Sequence, residues 1–250
     1  MKYLPLLFVV TGLWSNCFAQ NSFIDLQKSN SKIASIFKAR EDSLQKQFAA
    51  EQLQWPPAQL YIRSFKYDSQ LEVWVRNSNE EKFRLFKTYK VCALSGGLGP
   101  KRIEGDYQVP EGFYYINMFN PKSSYHLSLS LNYPNPSDAI LSDTIKPGGE
   151  IYIHGGCVTV GCIPINDKQI EELYVLASYA KSSGEDFIPV HIFPIRFNNP
   201  KSLGYFAKIA KDDDEYIKFA SRVKEVYDYF EAHKKLPLIS VNAKGEYIIL

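Results

Sequence analysis

Residues 151–165 read Ile-Tyr-Ile-His-Gly-Gly-Cys-Val-Thr-Val-Gly-Cys-Ile-Pro-Ile. An apolar run delivers His154 to its end, a glycine-rich loop follows, and Cys162 stands shortly before a helix start at Asn166. These residue types suit attack on a carbonyl by a thiolate. A cysteine nucleophile needs a base within hydrogen-bond reach and a backbone that can come close to the substrate. His154 is the candidate base. Gly155, Gly156 and Gly161 lack a Cβ and permit the tight turns and close approach. Ordinary readings stand beside this one. Cys162 can be a small packed residue, and His154 can simply end a strand. Cys157 either pairs with Cys162 as a redox lock or packs as a small residue. A zinc site of His154, Cys157 and Cys162 lacks a second ligand pair and a fourth ligand, so no metal is expected.

His-Gly followed by Thr-x-Gly-Cys resembles the signature of the YkuD-type L,D-transpeptidase catalytic domain, and the compact HGGCVTVGC is similar to its YafK-like branch. Gly99-Pro100-Lys101 with Gly105-Asp106-Tyr107-Gln108-Val109-Pro110-Glu111-Gly112-Phe113-Tyr114 is similar to a second family segment, and Ser124–Leu129 with Tyr133-Pro134-Asn135 to a third. The resemblance spans roughly residues 60–195. It implies Cys162 as nucleophile, His154 as base and the Gly155 carbonyl orienting the imidazole. Backbone N–H groups at Gly161 and Cys162 would hold the oxyanion. Tyr125, His126, Gly156 and Thr159 are candidate substrate contacts. The implied substrate is the peptidoglycan stem peptide, attacked at the carbonyl of an L-centre joined to a D-centre, with no cofactor. Two departures are visible. Ile163-Pro164-Ile165 stands where most of the family has an arginine after the cysteine, and the spacer between His154 and Cys162 is short. The first leaves hydrolysis open beside transfer.

The elements that must carry these groups are read from periodicity. Residues 22–54 place Ile33, Ile36, Phe37 and Leu44 at helical spacing until Trp55-Pro56-Pro57. From Leu60 to about His154 the period is two. Leu71, Val73 and Val75 alternate with Glu72, Trp74 and Arg76. Phe83, Leu85, Tyr89, Val91 and Ala93 form one face of a second strand, with Cys92 buried within it. Tyr125, Leu127, Leu129 and Leu131 face away from His126, Ser128 and Ser130, which puts His126 towards a groove. Asn166 and Gln169 form a capping box for a helix with Ile170, Leu173, Tyr174, Ala177 and Ala180 inside, ended by Gly184. A strand near Pro189–Phe193 makes His191 a core or edge residue. Tyr216, Phe219, Val223, Val226 and Tyr227 then form a helical stripe, His233 is solvated, and Tyr247–Leu250 closes with a short strand. Lys101 and the Gly96-Gly97 turn either border the groove or are structural.

The expected fold is therefore mainly β, an L,D-transpeptidase-like β-sandwich or partly open barrel with flanking α-helices, α+β overall. Residues 1–19 form an export signal, 20–57 a helical arm, 58–198 the catalytic domain and 199–250 a mainly helical extension. In the signal, Lys2 precedes an apolar run too short to span a bilayer, and Ala19 suits cleavage before Gln20. Trp14-Ser15-Asn16 before Cys17 does not suit a lipid-attachment motif. No later segment is apolar enough to be an integral membrane span.

The 29 basic and 27 acidic side chains give a net charge of +2 without a basic run, which argues against nucleic acid as a partner. Loss of Cys17 with the signal leaves Cys92, Cys157 and Cys162, an odd number that keeps one thiol free. The function expected is an exported cysteine acyltransferase of the periplasm or cell envelope, with an envelope protein as a further acceptor or substrate. Its alternatives are a murein hydrolase that trims stems or releases an attached protein, and a non-catalytic wall-binding scaffold. An inert Cys162 in a thiol-labelling test would favour the scaffold.

Overall fold

The computed structural model describes residues 22–79 and 81–250, so the export signal and Cys17 lie outside the described residues. The chain begins with α1 (Phe23–Lys28) and α2 (Ser31–Ala50), continues through β1 (Gln59–Phe65), β2 (Gln70–Arg76), β3 (Arg84–Lys90), β4 (Gly112–Asn120) and β5 (Ser128–Leu131), and reaches α3 (Pro136–Leu141). Then come β6 (Tyr152–His154), β7 (Ile163–Pro164), α4 (Asp167–Ser182) and β8 (Ile188–Phe193). It ends with α5 (Pro200–Ile209), α6 (Asp214–His233) and the hairpin of β9 (Ile239–Val241) and β10 (Tyr247–Ile249).

The expected mixture of a dominant sheet with flanking helices is present, and the sheet takes the partly open form. Its eight strands run in the order β3-β2-β1-β8-β4-β5-β6-β7. Among the described residues, only β1 with β8 and β6 with β7 pair in parallel. The edge strands β3 and β7 do not pair as strands, but the Cys92 N–H, just past β3, donates to the Pro164 carbonyl of β7 at 3.0 Å. The sheet thus curls until its two edges meet at one end.

Helices cover both faces. On one, α2 inserts Ile33, Phe37, Leu44 and Phe48, and α4 inserts Ile170, Leu173, Leu176 and Ala177, against Leu60, Ile62, Val73 and Val190. Burying a side chain of this size stabilises the fold by about 1.5–3 kcal/mol. On the other face, α6 lays Val223, Tyr227 and Phe230 on Phe65, Phe193, Tyr61 and Trp74. This second layer explains why Glu72 and Trp74, the polar side of the expected alternation, are buried. Glu72 is satisfied by Arg63 at 2.7 Å and Arg196 at 2.7 Å, and it accepts the Trp74 indole N–H at 2.8 Å.

Three local expectations are corrected. Leu85 is exposed, because the β2–β3 register passes from Val73 opposite Lys87 to Trp74 opposite Leu85. Phe86 is the extra residue, and such a bulge reverses which side faces the core. Cys92 lies beyond the end of β3 and is half-buried. His126 precedes β5 with φ 65°, which turns its side chain out of the strand alternation. Elsewhere the Asn166–Gln169 capping box opens α4, and Gly184 follows it with φ 98°.

Candidate active site

His154 ends β6 and is 1% exposed. Its Nδ1 lies 2.6 Å from the Gly155 carbonyl. A carbonyl only accepts, so Nδ1 carries the proton and Nε2 is left with a lone pair. Nε2 is buried and has no partner among the described residues. Burial pushes the imidazole below its ordinary pKa, more than the Gly155 bond raises it. The ring is therefore neutral at neutral pH, as a base must be. Tyr125, half exposed, tilts over it at 4.8 Å between ring centroids.

Gly155 and Gly156 are held between two elements. Gly155 N–H donates to the Leu127 carbonyl at 3.1 Å, and Gly156 N–H to Asp167 Oδ1 at 2.9 Å. A Cβ on Gly155 would come within 2.7 Å of that carboxylate and 2.9 Å of the Tyr125 carbonyl. Gly161, at φ 141°, lets the chain pass the Gln108 carbonyl, which a Cβ would approach to 3.2 Å.

The parallel register pairs Ile153 with Ile163 and His154 with Pro164. Cys162 immediately precedes β7, and its thiol lies by the Glu150 carbonyl and the Tyr152 backbone, at the entry to the strand that His154 ends. Cys162 is the one free cysteine among the described residues and is partly exposed. Its thiol donates to the Glu150 carbonyl at 3.6 Å rather than to His154. Burial pushes this thiol up; a backbone hydrogen bond at Tyr152 and the charge of Lys101 oppose that, and Glu150 adds to it. The resting pair is thus thiol and imidazole, both neutral, and not an ion pair.

Cys157 bonds to Cys92, with their Cα atoms 5.4 Å apart. Both expectations for Cys157, a lock on Cys162 and a packed residue, are corrected by this pairing, as is the buried reading of Cys92. The same bond removes Cys157 from the zinc set.

Thr159 braces the nucleophile turn. Its Oγ1 accepts N–H from Gly161 at 3.1 Å and from Cys162 at 2.8 Å, and donates to the Cys162 carbonyl at 2.8 Å. The two amides expected to hold an oxyanion are therefore engaged by Thr159 in the free protein. His126 is turned away, with Nε2 2.8 Å from Glu171 on α4, a carboxylate shared with Arg40 of α2 at 2.6 Å. His191 is a satisfied core residue, bonded to Tyr61 Oη at 2.9 Å and pushed down to about 3 by burial.

Sequence reading missed Asp167, Gln108 and Glu150. Asp167 had a visible signal as an acidic residue in the first helical turn, but its reach back to Gly156 is a loop contact. Glu150 acts through its carbonyl, which residue type does not reveal.

Comparison with known proteins places these residues in context. Residues 66–192 match the family model described as YkuD, L,D-transpeptidase catalytic domain. The chain is 33% identical over 192 residues, 76% of its length and 73% of the relative's, to "Putative L,D-transpeptidase YafK" of Escherichia coli (strain K12), with the same values for the protein of that name from Escherichia coli O157:H7. Among solved structures, the helical cell shape determining protein Pgp2 from Campylobacter jejuni superposes with a TM-score of 0.43 at 21% identity, covering 80% of this chain and 81% of that one. Bd1075 from Bdellovibrio bacteriovorus gives a TM-score of 0.41 at 21% identity, over 74% and 78%.

Proposed function

Because the chain belongs to the YkuD family of L,D-transpeptidase catalytic domains, we propose that it is an exported enzyme of the cell envelope in which Cys162 transfers an acyl group of a peptidoglycan stem peptide. The observation that carries this reading is the His154 ring. Its tautomer is set by the Gly155 carbonyl, and its bare, buried Nε2 stands at the end of β6, the strand paired with β7, which the one free thiol among the described residues immediately precedes.

The steps follow from these groups. His154 Nε2 takes the proton from Cys162 Sγ as the sulfur attacks the carbonyl carbon of the L-centre. The tetrahedral adduct collapses, the C–N bond breaks, and His154 returns the proton to the departing amine of the D-centre. The resulting thioester is resolved by a second amine, which forms a new cross-link, or by water, which leaves a free carboxylate. Either resolution restores the thiol. The disulfide between Cys92 and Cys157 suits the oxidising compartment in which such chemistry takes place. Among the described residues, no helix is long and apolar enough to cross a membrane.

The hydrolytic reading has one observation in its favour. Ile163 and Ile165, which follow the nucleophile, are buried, so no cation stands there to hold an anionic stem. Mass spectrometry of muropeptides from cells expressing the wild-type chain or Cys162→Ala separates the outcomes. L,D cross-links that depend on Cys162 establish transfer. Shortened stems or a released wall-bound protein establish hydrolysis. An unchanged profile in the Cys162→Ala strain, with the wild-type chain active, would remove Cys162 from the chemistry.

A further inference from the structure

A positive charge does stand near the nucleophile, and it comes from another loop. Lys101 is 5% exposed. Its stem lies against Gly148, where a Cβ would fall 2.9 Å from Cε and 3.4 Å from Nζ. Gly148 opens the short segment whose Glu150 carbonyl holds the Cys162 thiol at 3.6 Å. The ammonium donates to the Ile103 carbonyl at 2.9 Å and pairs with the Asp106 carboxylate.

Asp106 is not held by Lys101 alone. The same carboxylate accepts backbone N–H groups from Arg102 at 3.1 Å, Ile103 at 3.2 Å and Gln108 at 3.0 Å. One ammonium and three backbone N–H groups thus hold one carboxylate, and of the two paired charges it is that of Lys101 that acts on the Cys162 thiol, in the direction of the thiolate. The cluster borders the nucleophile turn on two sides, through Gly148, two residues before Glu150, and through Gln108, whose carbonyl lies where a Gly161 Cβ would be 3.2 Å away. A buried ammonium is costly to desolvate, and an ion pair of this kind is weak as a source of stability. A charge kept there at that cost fits a task at the site.

We propose that Lys101 is a positioning residue of the nucleophile: its buried ammonium, anchored by Asp106, supplies the positive field that stabilises the Cys162 thiolate as it forms. This rests on the reading of Cys162 as the nucleophile. The other titratable groups facing the thiol are Glu150, Tyr152 and His154, all on the segment that enters and forms β6. Of these, Glu150 opposes thiolate formation.

The test is the pH dependence of Cys162 alkylation by iodoacetamide, followed by mass spectrometry on the full chain with its disulfide intact. Lys101→Met should move the midpoint upward and slow alkylation below it by about tenfold. Lys101→Arg, which keeps the charge, should stay near wild type. Asp106→Asn, which removes the counter-charge and keeps an acceptor oxygen, should move the midpoint downward. A Lys101→Met profile that superimposes on wild type overturns the proposal, as does a Lys101→Arg shift as large as that of Lys101→Met. If Lys101→Met does not fold, Asp106→Asn decides by sign, and an unchanged or upward midpoint overturns the proposal. Alkylation needs no stem peptide. A failure here therefore leaves the acyl-transfer reading standing, and a failure of the muropeptide test with the expected alkylation shifts overturns that reading alone.

Discussion

Cys157, in the loop that carries the nucleophile, is bonded to Cys92, 65 residues earlier in the chain, where the two edges of the curled sheet meet. The bond keeps Cys157 away from Cys162 and ties the catalytic loop to the end of β3. Peptide mapping of the oxidised protein should show alkylation at Cys162, with Cys92 and Cys157 labelled only after reduction. Cys92→Ser should lower stability to denaturant by about 2–4 kcal/mol. Alkylation of Cys157 without reduction would contradict the pairing.

Glu185 makes stability fall as pH rises. Its carboxylate accepts the Leu60 N–H at 2.8 Å at the start of β1, and burial pushes its pKa up from 4.5 to about 8, against the pull of that bond and of Arg76. A carboxyl whose folded pKa is raised binds more protons folded than unfolded between those two values. Its contribution is therefore complete below the unfolded value and is lost as pH climbs through the folded one. Glu185→Gln keeps the acceptor without the charge. Melting temperatures of wild type and Glu185→Gln should coincide in acid and diverge towards about pH 8 and above, with the glutamine variant the more stable. Parallel curves would show that the carboxyl stays ionised.

Much of this architecture was legible where the signal is local. The Asn166–Gln169 box and the stripe from Ile170 to Ala180 lie within one helix, and both were read from spacing alone. What depends on distant partners was not legible. The second buried face of β2 comes from α6, far along the chain, so Glu72 reads as solvent-facing until Arg63 and Arg196 are seen around it. The bulge at Phe86 and the positive φ of His126 have no residue signature, and each reverses an alternation that was otherwise sound. At the site, His154, Cys162 and Gly155 were legible because the family segment names them. The Thr159 brace and the Lys101–Asp106 cluster were not, because they are contacts between loops.

His154 should set the rate of acylation without setting the reactivity of the thiol to small alkylating agents. Its imidazole is held below the ordinary histidine range by burial, and the Cys162 thiol is held above its own. The base is thus competent across neutral pH, and the rate of acylation by a carbapenem should be level there, where imidazole and thiol are both neutral, and fall only in acid as the imidazole protonates. His154→Gln should cut that rate by about 10²–10⁴-fold while leaving iodoacetamide labelling of Cys162 within a few-fold of wild type. An equal loss in both assays would mean that His154 holds the loop rather than the proton.

Thr159 links the resting turn to the reacting one. Its hydroxyl has one proton to donate and two lone pairs, and all three are used, on the Cys162 carbonyl, the Gly161 N–H and the Cys162 N–H. An oxyanion at the thioester-forming carbon would have to draw the two amides away from this neutral acceptor. A negatively charged acceptor can do so, since charge-assisted hydrogen bonds are roughly twice as strong as neutral ones. The hydroxyl then serves to hold the amides aligned until the anion develops. Thr159→Ser keeps the oxygen and should acylate like wild type. Thr159→Val leaves both amides without their partner, at a cost of about 1–3 kcal/mol to the turn, and should acylate at least about tenfold more slowly at unchanged thiol alkylation. A valine variant that acylates as fast as wild type would show that the turn keeps its amides aligned without the hydroxyl.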